Sequence, residues 1–491
     1  MESEMWKIED TDTIAAISTA VSESGIGVIR ISGPDAVEIA DRVYRSPGGK
    51  KRLAEVDTHT IHYGFIVEPE AAGNALQSGI SGASEKSADV IDEVLVSVMR
   101  APRTYTAEDV VEISCHGGVL AVTRVLEAVL KAGARAAHPG EFTKRAYLNG
   151  RIDLTEAEAV MDVIESKNRF ALQNAVSQVQ GTLYRKIEEV RKEMLYQSAH
   201  IEACLDDPEA LSFEAYLPEF SSEVQQWTKE LSALLATADS GRLMQEGIRT
   251  AIVGKPNAGK SSLMNLLLGE DRAIVTPVAG TTRDVLTETI TVGGMTLVVT
   301  DTAGIRETDD LVEKIGVQRA KGAIERADLI FYLIDSSTYI DTEDQEILNL
   351  IQEKKIIILQ NKTDLHTLTD ERQIRRMASE AGLGDDIPVI PFSATEKTGL
   401  DELISAIRTL FFDGKLSFND EIVITNARHK ELLKRALESL RQLSKSIESQ
   451  MPEDFYTIDL ISAYEALGEI TGQEAGEDLV NEIFSRFCMG K

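Results

Sequence analysis

Cysteine is scarce in this sequence: Cys115, Cys204 and Cys488 are all that its 491 residues contain. Far apart and odd in number, they exclude a disulfide framework and a cysteine-rich metal site, and a reducing compartment, the cytoplasm, is the expected home. Positive charge is also in deficit, with 51 Lys plus Arg against 81 Asp plus Glu and a formal net charge of −30. A field of that sign repels nucleic acid and anionic membranes on average, so any RNA contact is expected to be local or shared with a partner. No apolar run is long enough to span a bilayer, and the opening "MESEMWKIEDTDTIAA" lacks the basic region and following apolar stretch of a leader. No membrane association is expected.

What is present is enough chain for roughly two to four domains. "GVIRIS" and "EVLVSVM" read as strands on either side of Val67 to Asp92, a stretch rich in Ala, Gly and Ser that reads as a solvated loop. Residues 1–124 are therefore expected to form a small α+β domain. Val179, Leu183, Ile187, Val190 and Met194 then recur at intervals of three and four, the stripe of one long amphipathic helix, and Leu433, Leu437, Leu440 and Ile447 repeat that texture near the end of the chain. Between these helical blocks "RTAIVG", "TLVVTD", "LIFYLID", "KIIILQN" and "IPVIPFSA" read as buried strands alternating with helices, the pattern of a doubly wound, Ras-like α/β domain. Because domain termini usually lie close together, residues 247–412 can be an insertion in a discontinuous all-helical domain made of 125–246 and 413–491. The fold class is thus multidomain, α+β, all-helical and α/β.

"GKPNAGKS", Gly254 to Ser261, fits the G-x-x-x-x-G-K-S pattern and directly follows the predicted strand "RTAIVG". Glycines let backbone N–H groups turn onto phosphate oxygens, Lys260 brings charge to the β and γ phosphates, and the Ser261 hydroxyl can ligate Mg²⁺. Asn257, Ala258, Gly259, Lys260, Ser261 and Ser262 are the candidate nucleotide contacts here. "DTAG" (Asp301, Thr302, Ala303, Gly304) closes the strand "TLVVTD", where a carboxylate can hold the Mg²⁺ shell and a glycine amide can sense the γ-phosphate. "NKTD" (Asn361, Lys362, Thr363, Asp364) closes "KIIILQN", and its carboxylate can accept from both the ring N–H and the exocyclic amine of guanine, a donor pair that adenine lacks. "SAT" begins with Ser393 and Ala394 at the next strand end, where a backbone N–H can meet the guanine carbonyl. Four motifs in this order, each at a strand end, specify a GTPase domain.

The hydrolytic machinery departs from the Ras pattern. Ile305 follows "DTAG" where Ras-like proteins carry a water-positioning Gln, and an alkyl chain cannot orient water. "IRETDDLVEKIG" downstream offers Arg306, Glu307, Asp309, Asp310 and Glu313, of which four read as solvated surface charge. In "GTTRD", Thr282 can ligate Mg²⁺ when GTP is bound, while Arg283 is either a catalytic finger or the partner of the adjacent Asp284. At the C-terminus, "SRFCMGK" sets Cys488 beside Gly490 and Lys491. Cys488 is either a nucleophile or acid with a lowered pKa, or a small apolar residue packing after Phe484 and Phe487. Cys115 is expected to be buried at a strand end, with His116 structural.

Together "DTIAAIST", "GIGVIRISG", "YTAEDVVEISCHGG", "HPGEFTKRAYLNGRIDLTEAEAVMDVI", "AIVTPVAGTTRDV" and the terminal "FCMGK" resemble the tRNA modification GTPase MnmE (TrmE) family over essentially the whole chain. Only the Val67–Asp92 stretch and the region of "CLDDPEALSF" are nondescript. The resemblance implies K⁺-dependent GTP hydrolysis by a homodimer. It also implies a heterotetramer with the flavoprotein MnmG that installs a carboxymethylaminomethyl group on the wobble uridine of certain tRNAs. The one-carbon unit would come from 5-formyl- or 5,10-methylene-tetrahydrofolate, bound by residues 1–124, the domain that would also dimerise. By motif, Asn257, Thr276, Val278 and Thr281 would hold K⁺, Ser261 and Thr282 would hold Mg²⁺, and Glu313 would position the water. Arg30, Glu112, Arg151 and Lys491 would hold the folate, with Arg151 standing where the family often has Lys. An RNA-binding or ribosome-assembly switch is the alternative, supported by the basic run Arg428 to Ser446.

Overall fold

The structure, a computed structural model, describes residues 12–69, 90–207, 213–269, 287–300, 322–384, 386–412, 422–473 and 475–490. It divides into two compact units, Met1–Met161 with Gly468–Lys491, and Asp162–Leu467.

The first unit is built on a seven-stranded sheet of order β3-β4-β5-β6-β2-β1-β7. Its strands are β1 (Ile14–Ile17), β2 (Ser24–Ser32), β3 (Tyr44–Arg45), β4 (Thr60–Val67), β5 (Val90–Met99), β6 (Val110–Gly117) and β7 (Arg135–Ala136). All neighbours are antiparallel except β1 and β7. Alternation dictates the buried face: in β5, Val94, Val96 and Val98 point inward while Glu93 and Leu95 are exposed. The inward valines join Ile29, Ile31, Val111 and Ile113 against Ile39 and Val43 of α1 (Ala36–Val43) and Val125 and Val129 of α2 (Val119–Lys131). Each such burial is worth roughly 1.5–3 kcal/mol. The expected boundary at 124/125 therefore falls inside α2, whose apolar stripe needs this sheet. The Val67–Asp92 loop expectation lies largely outside the described residues; β4 ends at Val67 and β5 begins at Val90.

The unit also holds α3 (Glu141–Leu148), most of α4 (Leu154–Glu165) and the last helix described, α15 (Glu477–Ser485). Val480, Phe484 and Phe487 close a small core with Leu154 and Ala157. The last two dozen residues thus group with the N-terminal sheet in one compact unit, where the expectation placed them with the helical domain. The reason is the aromatic face of α15, which finds its apolar partners here.

In the second unit, α5 (Arg169–Val179), α6 (Thr182–Asp206), α7 (Phe213–Ala236), α8 (Ala238–Glu246) and α13 (Ala427–Glu448) form the helical part, together with most of α14 (Glu453–Thr471). Leu183, Ile187, Val190 and Met194 are buried as expected, as are Leu433, Leu437, Leu440 and Ile447. Val179 is 37% exposed and belongs to a different helix, because Gly181 adopts φ +75° and breaks the stripe. The sheet of this unit has the order β13-β12-β11-β8-β10-β9. It comprises β8 (Ile248–Gly254), β9 (Thr287–Val292), β10 (Met295–Thr300), β11 (Leu329–Asp335), β12 (Lys355–Asn361) and β13 (Val389–Pro391), parallel except for the β9–β10 pair. Phe331, Leu333, Ile357 and Leu359 enter a core on one face, and Ile330, Tyr332, Ile356 and Ile358 one on the other, the two-sided burial of a doubly wound sheet.

Candidate functional site

In the second unit, β8 lies between β10 and β11, where the chain order of the parallel strands reverses, and its C-terminal end opens into the glycine loop. Ligands bind at such switch points because diverging loops leave a crevice there. The loop turns through Asn257 at φ +64° and Gly259 at φ +101°, and the helix α9 (Lys260–Gly269) starts immediately after. Gly259 is needed twice: its φ is left-handed, and a Cβ there would lie 2.2 Å from Asn361 Nδ2. Lys260 Nζ donates to the carbonyls of Gly254 (2.7 Å) and Lys255 (2.8 Å), its ammonium held over the loop. Ala258 is buried, while Asn257, Ser261 and Ser262 are exposed. The first-turn amides of α9 thus face solvent beside two hydroxyls, a ready anion site.

The base-reading residues are wired to this loop. Asn361, the last residue of β12, is buried and donates from Nδ2 to Ala258 O (2.8 Å), while its Oδ1 accepts from Ala394 N (3.3 Å). Ser393 Oγ donates to Asp364 Oδ1 (2.6 Å) and accepts from Glu396 N (3.1 Å), so a hydroxyl orients the carboxylate that would read guanine. Lys362, at φ +63°, donates to Asp335 Oδ2 (2.6 Å), whose Oδ1 accepts from Ser337 N and Oγ. Burial pushes the Asp335 carboxyl up, but Lys362 and Ser337 outweigh it and hold the group below the usual range. The sequence named Ser393 for its strand-end position only; the bond from its hydroxyl to Asp364 is a tertiary contact that spacing does not reveal.

A second cluster lies in the first unit. Arg30 on β2 and Glu112 on β6 are register partners, and Arg30 Nε (2.9 Å) and Nη2 (2.8 Å) both meet Glu112 Oε1. Arg30 lies 5.1 Å from the Tyr105 ring centroid and Arg151 5.2 Å from the same ring, so one aromatic carries two guanidinium groups. Tyr105 Oη in turn pairs with Thr143 Oγ1 (2.9 Å). The C-terminal tail reaches this cluster: Gly490 O accepts from Arg30 Nη1 (3.3 Å) and Ser18 Oγ (3.2 Å), and Cys488 O accepts from Gly140 N (3.2 Å). Beneath it, Arg145 is 5% exposed and meets Asp12, Glu141 and Glu108, while Arg135 bridges Asp12 and Glu141. Tyr105 and this ion network were not singled out from sequence; only the density of charge in "GEFTKR", inside a folded segment, hinted at buried pairing.

Arg30, Glu112 and Arg151 are thus brought together with the tail, and Cys488 is exposed. Cys115 is buried, its thiol pushed up to about 11 by burial and by the charge of Asp92. His116 is tied to Asp92 through both its ring and its amide. Thr276, Val278, Thr281, Thr282, Arg283, Asp301, Thr302, Ala303, Gly304, Glu313 and Lys491 lie outside the described residues. In the basic run, Lys434 pairs with Glu431 and Arg441 with Glu438, so these cations are matched on their own helix.

Two family descriptions match the chain, "GTP-binding protein TrmE N-terminus" over residues 13–151 and "MnmE helical domain" over 154–488. The tRNA modification GTPase MnmE of Lachnoclostridium phytofermentans is 50% identical over 98% of this chain and 100% of its own length. Proteins of that name from Thermoanaerobacter pseudethanolicus and Staphylococcus epidermidis are 45% and 44% identical, over 98% of this chain and 99% and 100% of theirs. Among the described residues no helix is long and apolar enough to cross a membrane. With a glycine loop at the sheet's switch point, Asn361 and Ser393 bonded around it, and 50% identity over nearly its full length to one of these proteins, the chain belongs to the tRNA modification GTPase MnmE family.

Proposed function

We propose that this GTP-hydrolysing enzyme of tRNA modification is K⁺-dependent and that, as a homodimer working with the flavoprotein MnmG, it installs a carboxymethylaminomethyl group at C5 of the wobble uridine of its tRNAs. The observation that carries the GTPase half is the Ala258–Asn361–Ala394 bridge, which ties phosphate and base motifs into one preformed cleft. Asp364, oriented by Ser393, accepts the two guanine donors, and the Ala394 amide faces the guanine carbonyl. Lys260 exchanges its two loop carbonyls for phosphate oxygens. Glu313 orients the attacking water in place of the missing Gln, and Arg283 holds the first switch. Thr302 and Ala303 stand between the metal-shell carboxylate of Asp301 and the γ-phosphate amide of Gly304.

The residues described suit the groups they would hold. Ser261 opens α9 with its side chain exposed, an oxygen donor of the kind Mg²⁺ takes, with Thr282 as its fellow ligand. Asn257 offers a side-chain oxygen toward K⁺, to be completed by Thr276, Val278 and Thr281. In the first unit, two guanidinium groups flanking Tyr105 suit an anionic, aromatic tetrahydrofolate, which supplies the one-carbon unit when bound. Both Arg30 bonds fall on Oε1 of Glu112, so Oε2 is the oxygen offered to the pterin donors. Arg151 and Lys491 take the ligand's carboxylates, and Cys488, three residues before Lys491 in the sequence, offers an exposed thiol.

Reconstitution tests this reading. Full-length protein, MnmG with FAD and NADH, unmodified tRNA, GTP, a reduced folate for the one-carbon unit and glycine for the carboxymethylamino part should give the modified uridine by nucleoside mass spectrometry, with yield lost when folate or GTP is omitted. GTP turnover with no modified nucleoside would restrict the chain to a switch.

A further inference from the structure

The glycine loop has a brace that the nucleotide motifs do not include. Lys255, the second residue of the loop, sends Nζ to Asp344 (2.6 Å) and Asp341 (2.9 Å), with its side chain 17% exposed. Asp341 is the N-cap of α10 (Thr342–Ile351) and Asp344 its third residue, and each accepts from the other's backbone or donates to it in a capping box. Asp344 is 1% exposed and its other oxygen accepts from the hydroxyl of Tyr332, a fully buried residue of β11. Two carboxylates, one the helix N-cap and the other held by a buried phenol, thus converge on one ammonium. Its own carbonyl, in turn, is one of the two that hold Lys260 Nζ.

We infer that Lys255 is a positioning residue for nucleotide binding. By tying the loop to the β11–α10 connection, it sets where the Lys255 peptide, and with it the Lys260 ammonium and the Gly259 turn, stand relative to the phosphates. The same connection holds the other end of the cleft, because Asp335, at the close of β11, carries Lys362 of the base-reading motif. One acidic segment, Asp335 to Asp344, therefore fixes the phosphate loop through Lys255 and the base loop through Lys362. This segment sets the spacing between the two halves of the site. The ion pair carries weight there because a hydrogen-bonded, largely desolvated pair is stronger than an exposed one.

The test is a titration of a fluorescent GDP analogue into full-length wild type, Lys255→Met and Lys255→Arg, with the melting temperature of each nucleotide-free protein measured alongside. Lys255→Met keeps the stem and removes the charge, and the melting temperature reports any cost to folding separately from binding. The expected result is about ten-fold weaker GDP binding, the size of one charge-assisted hydrogen bond. Lys255→Arg, which can still reach both carboxylates, should restore most of it. Asp344→Asn should weaken binding by a similar factor, and the Lys255→Met/Asp344→Asn double variant by no more than either alone. A lowered melting temperature with unchanged GDP affinity in Lys255→Met would make the brace purely structural and overturn the inference. An equal loss in Lys255→Met and Lys255→Arg would do so too, since charge and reach would then be irrelevant.

Discussion

The nucleotide cleft and the arginine cluster of the N-terminal unit, the two sites proposed to hold anions, are built in opposite ways. The cleft is made of backbone: amides at a helix start, a glycine at φ +101°, and side chains such as Asn361 whose bonds run to main-chain atoms. The arginine cluster is made of side chains from distant strands and helices, with Arg30, Glu112, Tyr105, Arg151 and Gly490 meeting only after folding. A backbone site needs consecutive residues and leaves a contiguous motif. A side-chain site needs only tertiary proximity and leaves scattered single letters. Specificity in the first should thus be sharp and local, while integrity of the second should depend on the ion network beneath it.

The sharpest break of that contrast is Asp364→Asn. Replacing the carboxylate leaves guanine's paired donors facing an amide N–H, and GTP affinity should fall by about 10⁴-fold, the scale for a site built around specific hydrogen bonds. Competition titration with GTP and xanthosine triphosphate checks it, and the N-terminal unit should be unaffected. Next in size is Arg145→Met. Removing the guanidinium leaves Glu108 without its cation and Asp12 and Glu141 sharing Arg135 alone, at a cost of about 3 kcal/mol. Denaturant unfolding should show the loss in the first unit, while GDP affinity stays within two-fold of wild type, by order of magnitude. Gly259→Ala should weaken GDP binding by about 100-fold, combining the strain of a left-handed alanine with displacement of the Asn361 amide.

The smallest effect is on pH. Burial pushes the Glu141 carboxyl up, but Arg135, the His138 amide and Arg145 outweigh it, and its pKa lies below the ordinary value of 4.5. Asp12 is likewise raised by burial and more strongly lowered by Arg135 and Arg145, to below 3.8. For a lowered carboxyl the contribution to stability is complete above the unfolded pKa and is lost as pH falls through the folded one. The first unit should therefore hold its stability down to roughly pH 4.5 and lose it progressively below. Arg145→Met raises the folded-state pKa values of Asp12 and Glu141 toward their unfolded ones, so it should lower stability at neutral pH and shrink the loss seen on acidification, as unfolding monitored against pH would reveal.

How much could be read in advance follows from the same contrast. The strands "LIFYLID" and "KIIILQN" and the motifs at their ends were legible because a parallel core strand is a run of apolar letters and a phosphate loop a run of glycines. The stripe from Val179 to Met194 misled, since periodicity continues across a glycine that breaks the helix. The 124/125 boundary fell inside α2 because an amphipathic helix reads alike whether a sheet or another helix receives its face. Lys255, Tyr105 and the bond from Ser393 to Asp364 were silent for a different reason: the partners lie far away in sequence, and nothing local records the pairing.

The central claim is that this chain hydrolyses GTP with K⁺ and Glu313 standing where other GTPases use an arginine finger and a glutamine. GTP turnover should be measured in matched KCl and NaCl at equal ionic strength, on wild type and Glu313→Ala. A rate that rises steeply in K⁺ and collapses in the variant is the predicted result. Equal rates in both salts, with Glu313→Ala unchanged, would contradict it.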